Sequence, residues 1–223
     1  MSFKEPFVIV LILSYNGREL LKDSVSSYLR NNYQNFEVIV IDNGSTDGTK
    51  DYIKKDFPEA KVVRLEKNRG YSGGFNYGLK YATEQRNADY VLVTNNDVIA
   101  DKNVIVELVK VAKKDSRIGF VTGKVYFNEH ENTIIQTVGK FSHPINIVGK
   151  HIGTGEKDEG QYDNIEERDF VDDVFNLVNR KVIEKTGGYD ETFFLDFEEA
   201  DWQVRSKKLG YKIFYTPHAK LWH

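Results

Sequence analysis

The chain contains no cysteine, and that absence removes disulfides, thiolate zinc sites, iron–sulfur clusters and cysteine nucleophiles from consideration. Any metal must then be held by carboxylate, amide or imidazole groups, which favours a hard divalent cation. An excess of charge of one sign is also missing: 31 Lys and Arg stand against 34 Asp and Glu, for a formal charge of −3. No basic run is dense enough to follow a phosphate backbone, so nucleic acid is not an expected partner. Long apolar runs are lacking as well. The longest, Phe7 to Leu13, falls far short of a bilayer span and no small-residue cleavage site follows it, so a cytoplasmic, unexported chain is expected. With 223 residues, 40% of them hydrophobic, there is apolar material for one continuous core.

What is present is an alternation of apolar runs and helical patterns. Phe7 to Leu13 is rich in β-branched residues, as expected of a central strand covered on both faces. Leu20, Leu21, Val25, Tyr28 and Leu29 recur at helical spacing between Arg18 and Arg30, and Phe36 to Ile41 reads as a second strand. The pattern repeats with a turn and cap at Asp42 to Asp47, a helix to about Lys55, a strand from Lys61 to Leu65, a helix from Gly74 to Gln85 and a strand from Tyr90 to Thr94. A helix near Asn103 to Lys113 and an apolar segment Ile118 to Thr122 follow, and the rhythm then fails between Gly123 and Arg168. It resumes with a strand at Asp173 to Asn179, a helix at Lys181 to Thr186 stopped by Gly187-Gly188, a helix from Glu198 to Leu209 and a strand from Lys212 to Tyr215. This predicts a single α/β domain over residues 1–223, with a Rossmann-type, mostly parallel central sheet flanked by helices.

In open parallel sheets ligands bind beyond the carboxyl ends of the strands. Those ends carry Ser14-Tyr15-Asn16, Asp42-Asn43 and Asn95-Asn96-Asp97. An Asp at a strand terminus can accept from the N–H of a nucleobase, and an exposed Tyr beside it can stack on that base. Asn95-Asn96-Asp97 offers oxygen ligands that can hold Mg²⁺ or Mn²⁺ against a diphosphate. A competing motif, Gly70-Tyr71-Ser72-Gly73-Gly74, meets the G-x-S-x-G pattern of a hydrolase with Ser72 as nucleophile. Against it, the strand ends near Leu65, too early for a sharp elbow, and no oxyanion-forming segment precedes it. There is no Walker A sequence, and His130-Glu131 lacks the second His of a zinc protease. Glu198, Glu199 and Asp201 open a helix, where acidic residues favour the macrodipole.

The order and spacing of Ser14 to Gly17, Val40 to Gly48 and Asn68 to Asn76 resemble the inverting family-two glycosyltransferases of the GT-A fold. Asn95-Asn96-Asp97 resembles that family's metal-binding Asp-x-Asp motif, and Gly187 to Glu191 with Phe193-Phe194 resembles its acceptor-side segment. Glu198-Glu199-Ala200-Asp201-Trp202 with Arg205, and the terminal Leu221-Trp222-His223, resemble the base-bearing and metal-binding motifs of rhamnosyl- and galactofuranosyltransferase-like members. The resemblance implies that Ser14, Tyr15, Asn16, Asp42, Asn43, Arg69, Gly73, Asn76, Asn95 and Asn96 serve the nucleotide-sugar, within a donor half of about residues 1–97. It implies further that Asp97 and His223 ligate Mn²⁺ or Mg²⁺, and that Asp201 and Trp202 lie on the acceptor side, in a half of about residues 98–223. Glu199 would be the general base; Glu198 could serve instead, with Asp196 and Asp201 next in line. Two positions depart from the family pattern, Asn95 where Asp is usual in the metal motif and Glu199 where Asp is usual at the base. His218 reads as a surface histidine.

The implied activity is transfer with inversion from a UDP- or dTDP-linked sugar to a hydroxyl of a glycan or lipid-linked saccharide. The alternatives are a non-catalytic nucleotide-sugar-binding module, motivated by Asn95 and Glu199, and a serine hydrolase using Ser72. The resemblance also admits a homodimer, peripheral association with the inner face of the cell membrane and further chain beyond His223, although no basic amphipathic helix speaks for a membrane.

Overall fold

Apolar strands at the centre set the architecture of the computed structural model, which describes residues 5–128, 134–140, 151–193 and 197–223. His130, Glu131, Phe194 and Asp196 lie outside the described residues. The first half alternates β1 (Val8–Ser14), α1 (Leu21–Leu29), β2 (Phe36–Asp42), α2 (Thr49–Asp56), β3 (Lys61–Arg64), α3 (Gly70–Lys80) and β4 (Tyr90–Thr94), with a π-helical turn Tyr81–Gln85 closing α3. The second half comprises β5 (Ile99–Ala100), α4 (Val104–Ala112), β6 (Ile118–Tyr126), β7 (Ile135–Thr137), β8 (Glu166–Glu167), β9 (Phe175–Asn179), α5 (Arg180–Thr186), α6 (Glu198–Lys208) and β10 (Lys212–Trp222).

One sheet runs through both halves in the order β3-β2-β1-β4-β9-β6-β10-β5, with β7 on β6 and β8 on β10. Six of those eight strands point the same way, while β9 runs against β4 and β6, and β5 against β10. Successive β1 side chains face opposite sides, as strand geometry requires. Val8, Val10 and Ile12 pack with Leu21, Val25, Tyr28 and the apolar face of α4. Ile9 and Leu11 pack with Phe75, Leu79, Val182 and Trp202 of α3, α5 and α6. Because both faces are covered, the ligand-accessible part of the sheet is its carboxyl edge.

Two elements differ from the sequence expectation, and each difference moves a functional residue. Helix α3 begins at Gly70, not Gly74. A Cβ at Gly74 would come within 2.6 Å of Leu13 Cδ1, and one at Gly78 within 2.6 Å of Leu11 Cδ2, so these glycines let the helix lie directly on β1. Ser72 therefore sits inside the helix and is buried, not on a strand–helix elbow, and the geometry of a serine nucleophile is absent.

Strand β10 continues to Trp222, beyond the expected end at Tyr215. Thr216 pairs with Gly123 and Lys220 with Lys124, so residues 217–219 bulge out of the ladder. Pro217 is accommodated there because a bulged residue donates no ladder bond. The irregular stretch after Gly123 is pinned from below: the buried Lys124 ammonium lies 2.8 Å from Asp158 Oδ2 and 2.9 Å from Asp163 Oδ1, and the Tyr126 hydroxyl donates to Asp158. No helix among the described residues is long and apolar enough to cross a membrane.

The bulge makes a stability prediction. A Cβ at Gly123 would lie 2.0 Å from the Ala219 carbonyl oxygen, a backbone atom that can move only with β10. Gly123→Ala is expected to destabilise the fold by about 1–3 kcal/mol, as overpacking does; a urea midpoint equal to wild type would refute it.

Candidate active site

At the donor end, β1 and β2 finish side by side, with the Asn43 N–H donating to the Ser14 carbonyl at 2.8 Å. Asp42 is fully buried, its Oδ1 accepting from the Ser45 N–H at 2.8 Å and its Oδ2 from Arg64 Nη1 at 2.9 Å. Each oxygen has a second lone pair beyond these bonds. Tyr15 is 50% exposed. Its neighbour Asn16 adopts φ 50° and anchors the loop, accepting from the Thr46 N–H and donating its own N–H to Ser45 Oγ. Asn43 is spent internally: its amide donates to Asn68 Oδ1 and the Gly70 carbonyl and accepts from the Arg69 N–H, so it shapes the turn into α3.

Arg69, Gly73 and Asn76 share a face of α3 that meets Glu191. The Arg69 guanidinium lies 3.6 Å from Glu191 Oε2, and Asn76 Nδ2 donates to Glu191 Oε1 at 3.1 Å and to the Tyr189 carbonyl at 2.9 Å. A Cβ at Gly73 would sit 3.4 Å from Glu191 Oε2.

After β4 the chain crosses the carboxyl edge to reach β10 on its far side. Asn95 donates its N–H to the Val174 carbonyl, and Asn96 Nδ2 donates to Ser14 Oγ at 3.2 Å. Ile99 then pairs with Trp222, which places Asp97 beside His223: Oδ1 and Nε2 are 3.3 Å apart. Hydrogen bonding to His223 holds the Asp97 carboxyl below its ordinary range, against partial burial. His223 is fixed through its backbone by Tyr126 and Asn128, and its Nδ1 lies 3.0 Å from Gln136 Oε1.

Were Nε2 to give up the proton it shares with Asp97, Nδ1–H donating to the Gln136 oxygen would leave Nε2 as an acceptor able to ligate a cation. An imidazole so held, beside a carboxylate, is how protein metal sites orient their ligands. Among the described residues no set of three His, Asp or Glu side chains converges on one point. The pair suits Mg²⁺ or Mn²⁺, which take one or two protein ligands and complete their shell with phosphate oxygens and water.

Across the same edge, the start of α6 and the approach to β9 gather four carboxyl groups. Glu198 is buried, whereas Glu199 reaches Lys140 Nζ at 3.4 Å. Asp172 takes the same ammonium at 2.5 Å and lies 3.5 Å from His151 Nδ1. Asp173 is buried, accepts from the Tyr189 hydroxyl, and has its backbone carbonyl 3.5 Å from the Tyr71 hydroxyl. Burial, with the charge of Glu199 behind it, pushes the Asp173 carboxyl up to about 8. Burial and the Asp173 charge likewise raise the Tyr71 and Tyr189 phenols well above their usual range. Near neutral pH the cluster thus holds Asp173 as a neutral acid.

Two acceptor-side assignments are corrected. Trp202 is 1% exposed, its Nε1 donates to Thr186 Oγ1 and its ring packs on Phe120 and Tyr189, so it belongs to the core and cannot meet an acceptor. Asp201 is held by Arg205 Nε at 2.7 Å one helical turn on, while that guanidinium donates to the carbonyls of Thr186 and Gly188. It braces α6 against α5. Lys140, Asp172, Asp173, Gln136 and Arg64 contact the candidate residues at this edge and were not singled out in the sequence. Only the acidic pair at 172–173, set in an apolar stretch, carried a signal.

Comparisons with known proteins bear on the family and the fold. Residues 9–187 match the profile described as glycosyl transferase family 2. A poly-beta-1,6-N-acetyl-D-glucosamine synthase of Staphylococcus aureus (strain COL) is 27% identical over 219 residues, covering 96% of this chain and 49% of that protein. Its Staphylococcus epidermidis counterpart is 28% identical over 217 residues, 95% of this chain and 48% of that protein. The chain thus spans about half the length of the curated relatives it matches. In structure it is similar to the mannosyltransferase PcManGT from Pyrobaculum calidifontis in complex with GDP-Man and Mn²⁺ (TM-score 0.68, 18% identity, 99% of this chain and 57% of that one). It is also similar to GalNAc-T7 with UDP, GalNAc and Mn²⁺ (TM-score 0.76, 16% identity, 98% and 44%). The likeness establishes the GT-A fold.

Asp173 generates a pH prediction. Its carboxyl titrates near 3.8 when unfolded and near 8 when folded, so the stability it contributes is complete below about pH 4 and is lost as pH rises to about 8. Asp173→Asn cannot ionise and should gain on wild type across that window, with no further change above it. Chemical denaturation at pH 4, 6, 8 and 9 measures this; a difference independent of pH would show that Asp173 is ionised in the folded protein.

Proposed function

The chain belongs to glycosyl transferase family 2, and from that premise we propose that it is an inverting transferase moving a sugar from a UDP- or dTDP-linked donor to a hydroxyl of a glycan or lipid-linked saccharide. The observation that carries the reading is the Asp97–His223 pair, residues far apart in sequence brought to 3.3 Å at the edge where the donor loops end. In this reading Tyr15 stacks on the base, Asp42 accepts from its N–H, and Asp97 and His223 hold Mg²⁺ or Mn²⁺. The metal would supply charge neutralisation for the diphosphate.

Glu199 accepts the proton of the acceptor hydroxyl as that oxygen bonds to the anomeric carbon. The carbon–diphosphate bond breaks on the opposite side, its electrons leave with the nucleoside diphosphate, and the configuration inverts. Glu199 is favoured over Glu198 because its side chain is partly open to the edge, whereas Glu198 is buried. The continuous sheet supports one transferase domain, with donor loops from β1 to β4 and the acceptor side built from the rest.

The names of the curated relatives favour an N-acetylglucosamine donor and a polysaccharide acceptor, and such an acceptor would bring the chain to the inner face of a membrane. The His223 motif instead favours a rhamnosyl or galactofuranosyl donor. Assaying UDP-N-acetylglucosamine, dTDP-rhamnose and UDP-galactofuranose side by side separates them.

Two measurements test the proposal. UDP or dTDP should bind by calorimetry in a Mn²⁺-dependent way, with GDP and CMP weaker, and Asp97→Ala should lose the metal-dependent part while melting as wild type. No Mn²⁺-dependent binding of any of the four would overturn the donor assignment. Glu199→Gln should keep donor affinity and lose about 10²- to 10⁴-fold in transfer, as removal of a general base does. Turnover retained there and lost in Glu198→Gln would move the base by one residue.

A further inference from the structure

Lys140 is the cation seen beside the carboxylates of the acceptor end, and nothing in the family motifs calls for it. Its backbone is tied to Phe170, donating its N–H to that carbonyl at 2.8 Å and accepting in return, and the next ladder contact links it to His151. This places the Lys140 side chain, 10% exposed, between two acids: Asp172 Oδ1 at 2.5 Å and Glu199 Oε1 at 3.4 Å. Thr137 Oγ1 and His151 Nδ1 hold the other oxygen of Asp172 at 3.0 and 3.5 Å, so Asp172 is a fixed anchor for the ammonium.

We propose that Lys140 is the positioning residue of Glu199: bridging from Asp172, its ammonium fixes the Glu199 carboxylate at the acceptor end and keeps it in the form that can take up a proton. The inference rests on the reading of Glu199 as the base and adds the group that governs it. Without Lys140, Glu199 would face the carboxyls of Asp172 and Asp173, with Glu198 on its own helix and the phenols of Tyr71 and Tyr189 beyond. None of these favours a negative charge on it. Among the described residues of the cluster, His151, on Asp172, can also become a cation, but only when protonated.

Burial lowers the affinity of the Lys140 amine for its proton, but the carboxylates of Asp172 and Glu199 outweigh burial and hold the ammonium above its ordinary range. The cation is therefore present across the working range of pH. Its attraction for Glu199 persists as salt is raised, since a charge this little exposed is weakly screened.

The test reads Glu199 directly and needs no acceptor. Protein labelled with carboxyl-¹³C glutamate, its Glu199 signal assigned by loss in Glu199→Gln, is titrated by NMR in the presence of Mg²⁺. In Lys140→Met the Glu199 carboxyl should titrate about 1–3 pH units higher than in wild type, the effect of removing an opposite charge at this range, and Lys140→Arg should restore it. If Lys140→Met does not fold, Lys140→Met/Asp172→Asn removes the stranded anchor charge and should show the same rise relative to Asp172→Asn.

In turnover assays of the donor identified by calorimetry, Lys140→Met should lose kcat and leave the donor KM within about twofold, the pattern of a group acting only on the chemical step. A Glu199 titration unchanged by Lys140→Met overturns the inference. Full transfer by Glu199→Gln overturns instead the base assignment on which it rests, so the two failures are distinguishable.

Discussion

The two-residue ladder between β5 and β10 is the contact on which the active-site edge depends. Leu221 pairs with Ala100 and Trp222 with Ile99, which forces residues 95–98 to travel from the end of β4, past β9 and β6, to the outer side of β10. The contacts of Asn96 and Asp97 follow from that crossing. Asn96 is drawn over β1 to Ser14, Asp97 is delivered to His223, and the His223 backbone is locked between Tyr126 and Asn128. The bulge at 217–219 permits it, because β10 must pass Pro217 and regain its register before the last pairs can form.

A second constraint is the direction of β9. Running against its neighbours, it brings its amino end, not its carboxyl end, to the ligand edge. Asp172 and Asp173 therefore precede the strand at that edge and face α6, where Glu198 and Glu199 occupy the first turn. Four acids in one place cannot all be ionised without counter-charge. The protein divides the problem in two, burying Asp173 until it keeps its proton and giving Asp172 and Glu199 a shared ammonium.

Much of this was legible in the chain because strand ends are marked by an abrupt change from β-branched to polar residues. Ser14, Asp42 and Asn95 to Asp97 all lie at such changes, and the structure places them on one edge. What was illegible has physical reasons. Ile99–Ala100 is too short to show periodicity, and Phe175–Asn179, buried on both faces, looks the same whichever way it runs. Lys140 and Gln136 lie in a stretch with no helical or strand rhythm, and their partners are remote in sequence. Trp202 was assigned from its neighbours in a motif, although Glu198, Trp202 and Ser206 fall at one-turn spacing on the buried face of α6.

Asn76 and Arg205 have a mechanical consequence. Asn76 clasps the main chain at Tyr189 from α3, while Arg205 clasps it at Thr186 and Gly188 from α6. The short turn between them is thus gripped from both sides, by a helix that borders the donor loops and by the helix that bears Glu199. A displacement of either helix pulls on the same few peptide groups. Helices that share no direct hydrogen bond in this pair of clasps are thus tied to one another through a single short length of main chain.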